Sequence, residues 1–219
     1  MPVFYPSDAV SSTIRIIRIC RILQQLYIRQ PEESSMNKRP EQRKRTQESI
    51  LQAFFEEYRI KPVHSITVGS VAKNARVNRS TFYEYFSDIY DLLDQAQDLL
   101  LDDIRDCASQ LIDIPEADKS VLLPKTGEKI ISEYGERLAL LLSHGDTGFS
   151  GKLISAMRPL MGRLLSVDIA QRETDLVISF VLSGISGYLT ALYATGENFD
   201  THEAVVKLQS LMAACLANA

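Results

Sequence analysis

The chain has 219 residues, 45% of them hydrophobic and 24% charged, with ten glycines and eight prolines. That balance excludes disordered and low-complexity chains, and it suits one large domain or a small domain joined to a medium one. The net charge of −4 is uneven: residues 36–90 carry ten Lys/Arg against six Asp/Glu, whereas residues 91–219 carry ten against nineteen. Only the first block suits a polyanionic partner. Cys20, Cys107 and Cys215, like His64, His144 and His202, lie far apart without metal-ligand spacing. A disulfide framework and a metal site are therefore not expected, no cofactor is implied, and a reducing cytoplasm is the expected compartment. Apolar residues recur at helical spacing over long windows and none alternates like a strand, so the fold is expected to be all-α.

In chain order, residues 9–30, AVSSTIRIIRICRILQQLYIRQ, hold four arginines and no acidic residue. Arginines interrupt every possible apolar core of a secretory signal. Three readings stay open: a targeting peptide, a basic helix lying on a membrane surface, or a translated upstream segment with the functional protein starting at Met36. Residues 1–35 are accordingly treated as an N-terminal extension.

From Glu41, Ile50, Leu51, Phe54, Phe55 and Tyr58 recur at helical spacing and predict an amphipathic helix over 41–59. Lys38, Arg39, Arg43, Lys44 and Arg45 crowd its start, an unfavourable place for cations unless an anion lies nearby. Thr67 is a plausible N-cap for a short helix carrying Val68, Val71 and Ala72, and Asn78 for a second one reaching about Tyr85. The three residues between them, Ala75-Arg76-Val77, give the spacing of a helix-turn-helix.

The stretch NRSTFYEYF, residues 78–86, is the most informative. At 100° per residue Phe82 and Phe86 form an apolar seam, while Arg79, Ser80 and Tyr83 share the adjoining face. Arg79 is placed to fork onto a guanine edge, and the hydroxyls of Ser80, Thr81 and Tyr83 to hold phosphates. The plainer alternative is a helical hairpin whose polar residues face water. The two caps, the turn length and the flanking basic arm together favour the DNA reader.

A long helix is predicted over 88–113, with Leu92, Leu93, Ala96, Leu99, Leu100, Ile104, Cys107, Ala108 and Leu111 on its apolar side. Four more are predicted near 126–143, 151–166, 171–195 and 201–217. Pro115, Pro124, Gly145, Gly148 and Gly196 serve as punctuation, and Pro159 as a kink or break. Asp94, Asp98, Asp102 and Asp106 form a stripe at i,i+4 steps, read as a water-facing acidic face rather than a cation site. HGDTGFSGK fails as a phosphate loop, because Asp146 and Leu153 stand where glycine and Ser/Thr are required. Residues 176–196 are uncharged over a membrane-spanning length, yet rich in Ser, Gly and Thr, which favours close helix packing within a protein.

Residues 41–93 resemble the DNA-binding domain of the TetR family of bacterial transcriptional regulators. The resemblance rests on Thr67-Val68, Val71-Ala72, Ala75-Arg76-Val77-Asn78, Thr81-Phe82-Tyr83-Glu84-Tyr85-Phe86 and Leu92-Leu93. It implies that Thr67, Asn78, Arg79, Ser80, Thr81, Tyr83 and Tyr85 occupy positions that commonly touch DNA. Three departures stand out. Arg76 replaces the turn glycine and would need a positive φ, with a phosphate within its reach. Ile89 replaces a phosphate-binding lysine, and Glu84 puts a negative charge near the reading face. Lys44 and its neighbours are expected to carry more of the phosphate anchoring.

Three regions follow: the extension, a three-helix helix-turn-helix domain at 36–90, and a helical ligand-binding and dimerisation domain at 91–219. The resemblance implies a cytoplasmic regulator of double-stranded DNA and not an enzyme. It would be a homodimeric repressor on a near-palindromic operator, with an effector in its second domain shifting the helix at 88–113. A same-fold regulator governed by a protein partner, and a membrane-associated protein acting through residues 9–29, are the alternatives.

Overall fold

The computed structural model describes residues 38–144, 148–196 and 198–216. The expectations for residues 1–35 and for a start at Met36 fall outside the described residues. The chain divides between Arg43 and Lys44, and the unit that begins at Lys44 carries the architecture below.

Among the described residues there are eight α-helices, one 3-10 turn and no strand. They are α1 (Lys38–Tyr58), α2 (Val68–Asn74), α3 (Arg79–Tyr83), α4 (Ile89–Ser109), α5 (Glu116–Ser143), α6 (Phe149–Leu165), α7 (Arg172–Ala194) and α8 (Thr201–Leu216). One continuous cluster of buried side chains runs from Ile50 in α1 to Val205 in α8.

From Lys44 onward α1 belongs to the second unit. It buries Ile50, Ala53, Phe54, Phe55 and Tyr58, and among them a carboxylate: Glu57 is only 7% exposed. The Ser70 hydroxyl donates to Glu57 at 2.8 Å, the Asn74 amide at 2.9 Å and the Lys61 ammonium at 2.6 Å. Charge-assisted bonds of this kind offset the cost of burying the carboxylate. They fix α2 against α1.

α4 is about 32 Å long by its 1.5 Å rise per residue. Asp88 caps it, accepting from the Tyr90 and Asp91 backbone N–H groups at 2.8 and 2.9 Å. It ends earlier than the sequence suggests, because Leu111 and Ile112 bond back to Ala108 and Ser109 in a tightened turn. Leu99, placed by periodicity on its apolar side, is 41% exposed. The acidic stripe is not wholly solvated either, since Lys152 of α6 bridges Asp94 and Asp98 at 2.7 and 2.8 Å.

Two prolines behave differently from expectation. α5 begins at Glu116 with Pro115 as its N-cap and passes through Pro124. α6 likewise runs unbroken through Pro159, which lies on the exposed side of the helix. An interior proline costs about 3 kcal/mol through one lost hydrogen bond and a crowded carbonyl. Packing of α5 and α6 on both sides of the prolines outweighs that local penalty.

The far end of α5 grips α1. Arg137 donates to Gln52 at 3.1 Å and lies 5.3 Å from the centre of the Phe55 ring. Arg59 pairs with Glu136 at 2.6 Å, and the His144 ring stacks on Tyr58 at 4.0 Å. α7 turns Ile178, Val181, Leu182 and Leu189 into the core but leaves Leu176 and Phe180 60% and 67% exposed. α8 adds exposed Val206 and Leu211. α7 is also the one helix among the described residues long and apolar enough to cross a membrane by length and composition.

Glu57→Ala should lower the unfolding free energy by about 2–3 kcal/mol, because Ser70, Asn74 and Lys61 lose a charged acceptor. Glu57→Gln should lose about half of that, since an amide oxygen still accepts. Urea unfolding of both variants checks the ordering, and equal losses would contradict it.

Candidate nucleic-acid interface

The candidate reader, α2, the turn and α3, is built from its caps. The Thr67 hydroxyl accepts from the Ser70 N–H at 3.1 Å while the Ser70 hydroxyl accepts from the Thr67 N–H at 3.3 Å, a complete capping box. Ser70 thus serves the start of α2 and Glu57 at once. At the other end, Arg76 adopts φ 58°, the left-handed conformation usually left to glycine. The Arg76 and Val77 N–H groups bond to Lys73 and Ala72, and the Ser49 hydroxyl of α1 donates to the Ala75 carbonyl at 3.1 Å. The turn is therefore held from both sides.

Asn78 starts α3 with an extended backbone, φ −77° and ψ 155°, but makes no side-chain cap bond. The helix is shorter than the sequence suggests. It ends at Tyr83 because Glu84 and Tyr85 bond to the carbonyls three residues back, Thr81 and Phe82, which tightens the last turn. Phe82 and Phe86 are wholly buried, 5.6 Å apart, and bolt α3 to the core. Beyond them, Asp91 accepts from the Gln95 amide at 2.9 Å and the Ser87 N–H at 2.7 Å. Those bonds, Gln95 first, hold the Asp91 carboxyl below its usual range. Gln95 also donates to the Tyr85 carbonyl at 3.4 Å, so the loop leaving α3 is tied to α4.

The side chains expected to meet DNA separate into groups. Thr67, Arg76, Asn78, Arg79, Ser80 and Tyr83 are exposed on α2, the turn and α3, and Thr81 is half-buried beside them. Tyr85 is half-buried and packs on the apolar core. Lys44 is exposed on α1, about 7 Å along the helix axis from Ser49, the residue that touches the turn. Its charge also acts on α4: burial raises the Asp103 carboxyl and Asp106 adds to the rise, while Lys44 and Arg137 oppose it.

Two features of this face escaped the sequence reading. Lys73, exposed in the last turn of α2, adds a third cation beside Arg76 and Arg79. Gly69 supplies room: a Cβ there would stand 2.5 Å from the Arg79 Nη2 atom. The guanidinium of α3 therefore lies across the backbone of α2. Spacing from Thr67 could have flagged Lys73; the Gly69–Arg79 contact depends on how the two helices cross.

Solved structures share this architecture. A TetR-family transcriptional regulator from Streptomyces coelicolor aligns with TM-score 0.61 at 16% identity, over 80% of this chain and 81% of that one. The chain has the fold of a TetR-type transcriptional regulator. Two further structures with this TetR-type fold align: the fatty acid degradation regulator FadR from Bacillus halodurans and the dihydroxyacetone kinase operon activator DhaS. FadR aligns with TM-score 0.56 at 17% identity, over 83% of this chain and 96% of that one. DhaS aligns with TM-score 0.54 at 16% identity, over 77% and 94% respectively. No family model and no curated protein matches the sequence. Identities this low carry the fold and leave the activity to be argued from the residues.

Gly69→Ala should raise stability by up to about 1 kcal/mol, because alanine leaves the unfolded chain less backbone freedom to lose, while pushing the flexible end of Arg79 aside. Urea unfolding reads the first effect and the Arg79 Nε–H NMR resonance the second. A drop in stability would mean that the guanidinium cannot yield.

Proposed function

We propose that the chain is a sequence-specific, DNA-binding transcriptional regulator, a repressor that acts as a homodimer on a near-palindromic operator. The observation that carries this reading is the α2–turn–α3 unit. Its buried Phe82 and Phe86 fix a short helix whose other side presents Asn78, Arg79, Ser80 and Tyr83 to solvent, beside Arg76 and Lys73. Arg79 reads a guanine edge in the major groove, and the hydroxyls, Arg76 and Lys44 position the phosphate backbone. Glu84, exposed at the end of α3, faces an exocyclic amine or repels a phosphate, which makes it a filter on sequence. The helix-turn-helix domain is assigned to 36–90 and the regulatory domain to 91–219.

The dimer reading draws on Leu176 and Phe180 of α7 and on Val206 and Leu211 of α8, apolar side chains that one protomer leaves uncovered. Exposed Gly184 and Gly187 of α7 let a symmetry-related helix approach closely. A twofold axis through these helices puts two reading helices on successive major grooves.

Regulation by a small molecule is favoured over a protein partner by a preformed cavity of about 450 Å³ among α4 to α8. α4 links the two ends. Its first turns share the core with Phe82 and Phe86 through Ile89 and Leu92, and its last turns wall the cavity with Ile104 and Ala108. An effector that prefers one placement of α4 shifts the spacing of the two reading helices. A tenfold loss of operator affinity requires about 1.4 kcal/mol of such preference.

Arg79→Ala is expected to abolish preference for the operator over unrelated DNA. Lys44→Ala should weaken all sequences alike and reduce the slope of log affinity against log salt by about one. Fluorescence anisotropy over a salt series separates them, and unchanged specificity in Arg79→Ala overturns the assignment of α3 as reader.

A further inference from the structure

The cavity has a lining narrow enough in chemistry to name its ligand class, and this step rests on the effector reading above. Its walls are aliphatic: Ile104, Leu153, Met157, Leu160, Leu182 and Leu189 are representative, drawn from α4, α6 and α7. Among the described residues that line it there is no aromatic ring, no histidine and no carboxylate. Its polar side chains are Lys119, Thr126 and Gln209.

These three are not scattered. Lys119 and Thr126 are seven residues apart, on one face of the N-terminal half of α5. His202 pairs with Glu128 at 2.6 Å and Val205 packs over Gly127, so the first turns of α8 lie on the first half of α5. Gln209, one turn past Val205, lines the same cavity. The Lys119 ammonium donates to the Leu164 carbonyl at 3.5 Å, where α6 meets the cavity wall. The cavity is thus polar toward one end and aliphatic elsewhere.

We infer that the cavity binds a medium-to-long aliphatic carboxylic acid, its carboxylate at Lys119, Thr126 and Gln209 and its chain among the leucines and methionines. The alternatives fit the walls poorly. A cationic aromatic ligand finds neither a carboxylate to neutralise it nor a ring to stack on. A sugar or a free nucleotide carries far more polar groups than three side chains can satisfy. A volume of about 450 Å³ lies in the range that buries a drug-sized ligand, so there is room for a medium-to-long chain. Methionines in the wall tolerate some variation in chain shape.

The test is calorimetric titration of the full chain with n-dodecanoate, n-hexanoate, 1-dodecanol and ethidium. Dodecanoate should bind saturably at one per chain and more tightly than the other three. Lys119→Met, which keeps the side-chain length and removes the charge, should weaken dodecanoate about tenfold and leave 1-dodecanol nearly unchanged. Ile185→Trp, which fills the cavity, should abolish both; Leu160→Phe serves the same purpose if the tryptophan variant fails to melt cooperatively. The inference is overturned if dodecanoate does not saturate, if ethidium binds as tightly, or if Lys119→Met weakens acid and alcohol equally. Operator binding measured in parallel separates this inference from the reading it rests on. Dodecanoate that fills the cavity without changing DNA affinity upholds the ligand class and removes the effector role. Release of DNA by a cavity-bound ligand of another class does the reverse.

Discussion

The arrangement of the reading face depends on one buried carboxylate. Glu57 sits in the apolar face of α1, where an unpaired charge would be costly, and it is stable there because Ser70, Asn74 and Lys61 converge on it. Each partner has a second consequence. Ser70 completes the cap that starts α2. Asn74 is the last residue of that helix, so the bond to Glu57 sets where the turn begins. With α2 fixed at both ends, the gap over Gly69 is fixed as well, and that gap receives the Arg79 guanidinium. From Glu57 through α2 and the turn, the backbone is held at each step. The proposed reading of base edges would need such placement, because an error of an ångström in a bidentate contact removes its discrimination.

The second constraint is that reader and cavity share one core. α4 contributes Leu92 and Leu93 near its start and Ile104 near its end to the same buried cluster. Lys152 holds α6 to α4 at Asp94 and Asp98, close to its middle. α5 makes a second connection: its first half forms a wall of the cavity, and its last turns hold α1 through Glu136, Arg137 and His144. α1 is the helix that carries Glu57. On the proposed effector mechanism, a ligand in the cavity would touch α4, which packs on α3, and α5, which holds α1, and either could carry a shift, since a close-packed core moves in discrete steps rather than deforming smoothly.

Local rules made much of this legible. Thr67 as a cap, the break at Ala75-Arg76-Val77, a positive φ at Arg76 and the burial of Phe82 and Phe86 all follow from caps, periodicity and sterics within a few residues. What local rules missed was decided by distant contacts. Pro124 and Pro159 read as breaks in isolation, but the helices around them are held by packing on both sides. Ser166 adopts φ 55° with nothing in its own chemistry to announce it. Tyr85 looks equivalent to Tyr83 in the motif, yet one packs on the core and the other is 57% exposed, a difference set by the residues opposite them. Glu57 did leave a signal: at 100° per residue it falls within 20° of Ile50, inside the apolar arc of its own helix. A carboxylate in that position requires partners, and the sequence could not say which.

The account is tested most directly by selecting genomic DNA fragments with the purified full-length protein. It predicts that the bound fragments share a near-palindromic site, with half-sites spaced by the groove geometry of two reading helices and an affinity that falls steeply with salt. Fragments with no site in common, held with equal affinity at every salt concentration, would contradict it.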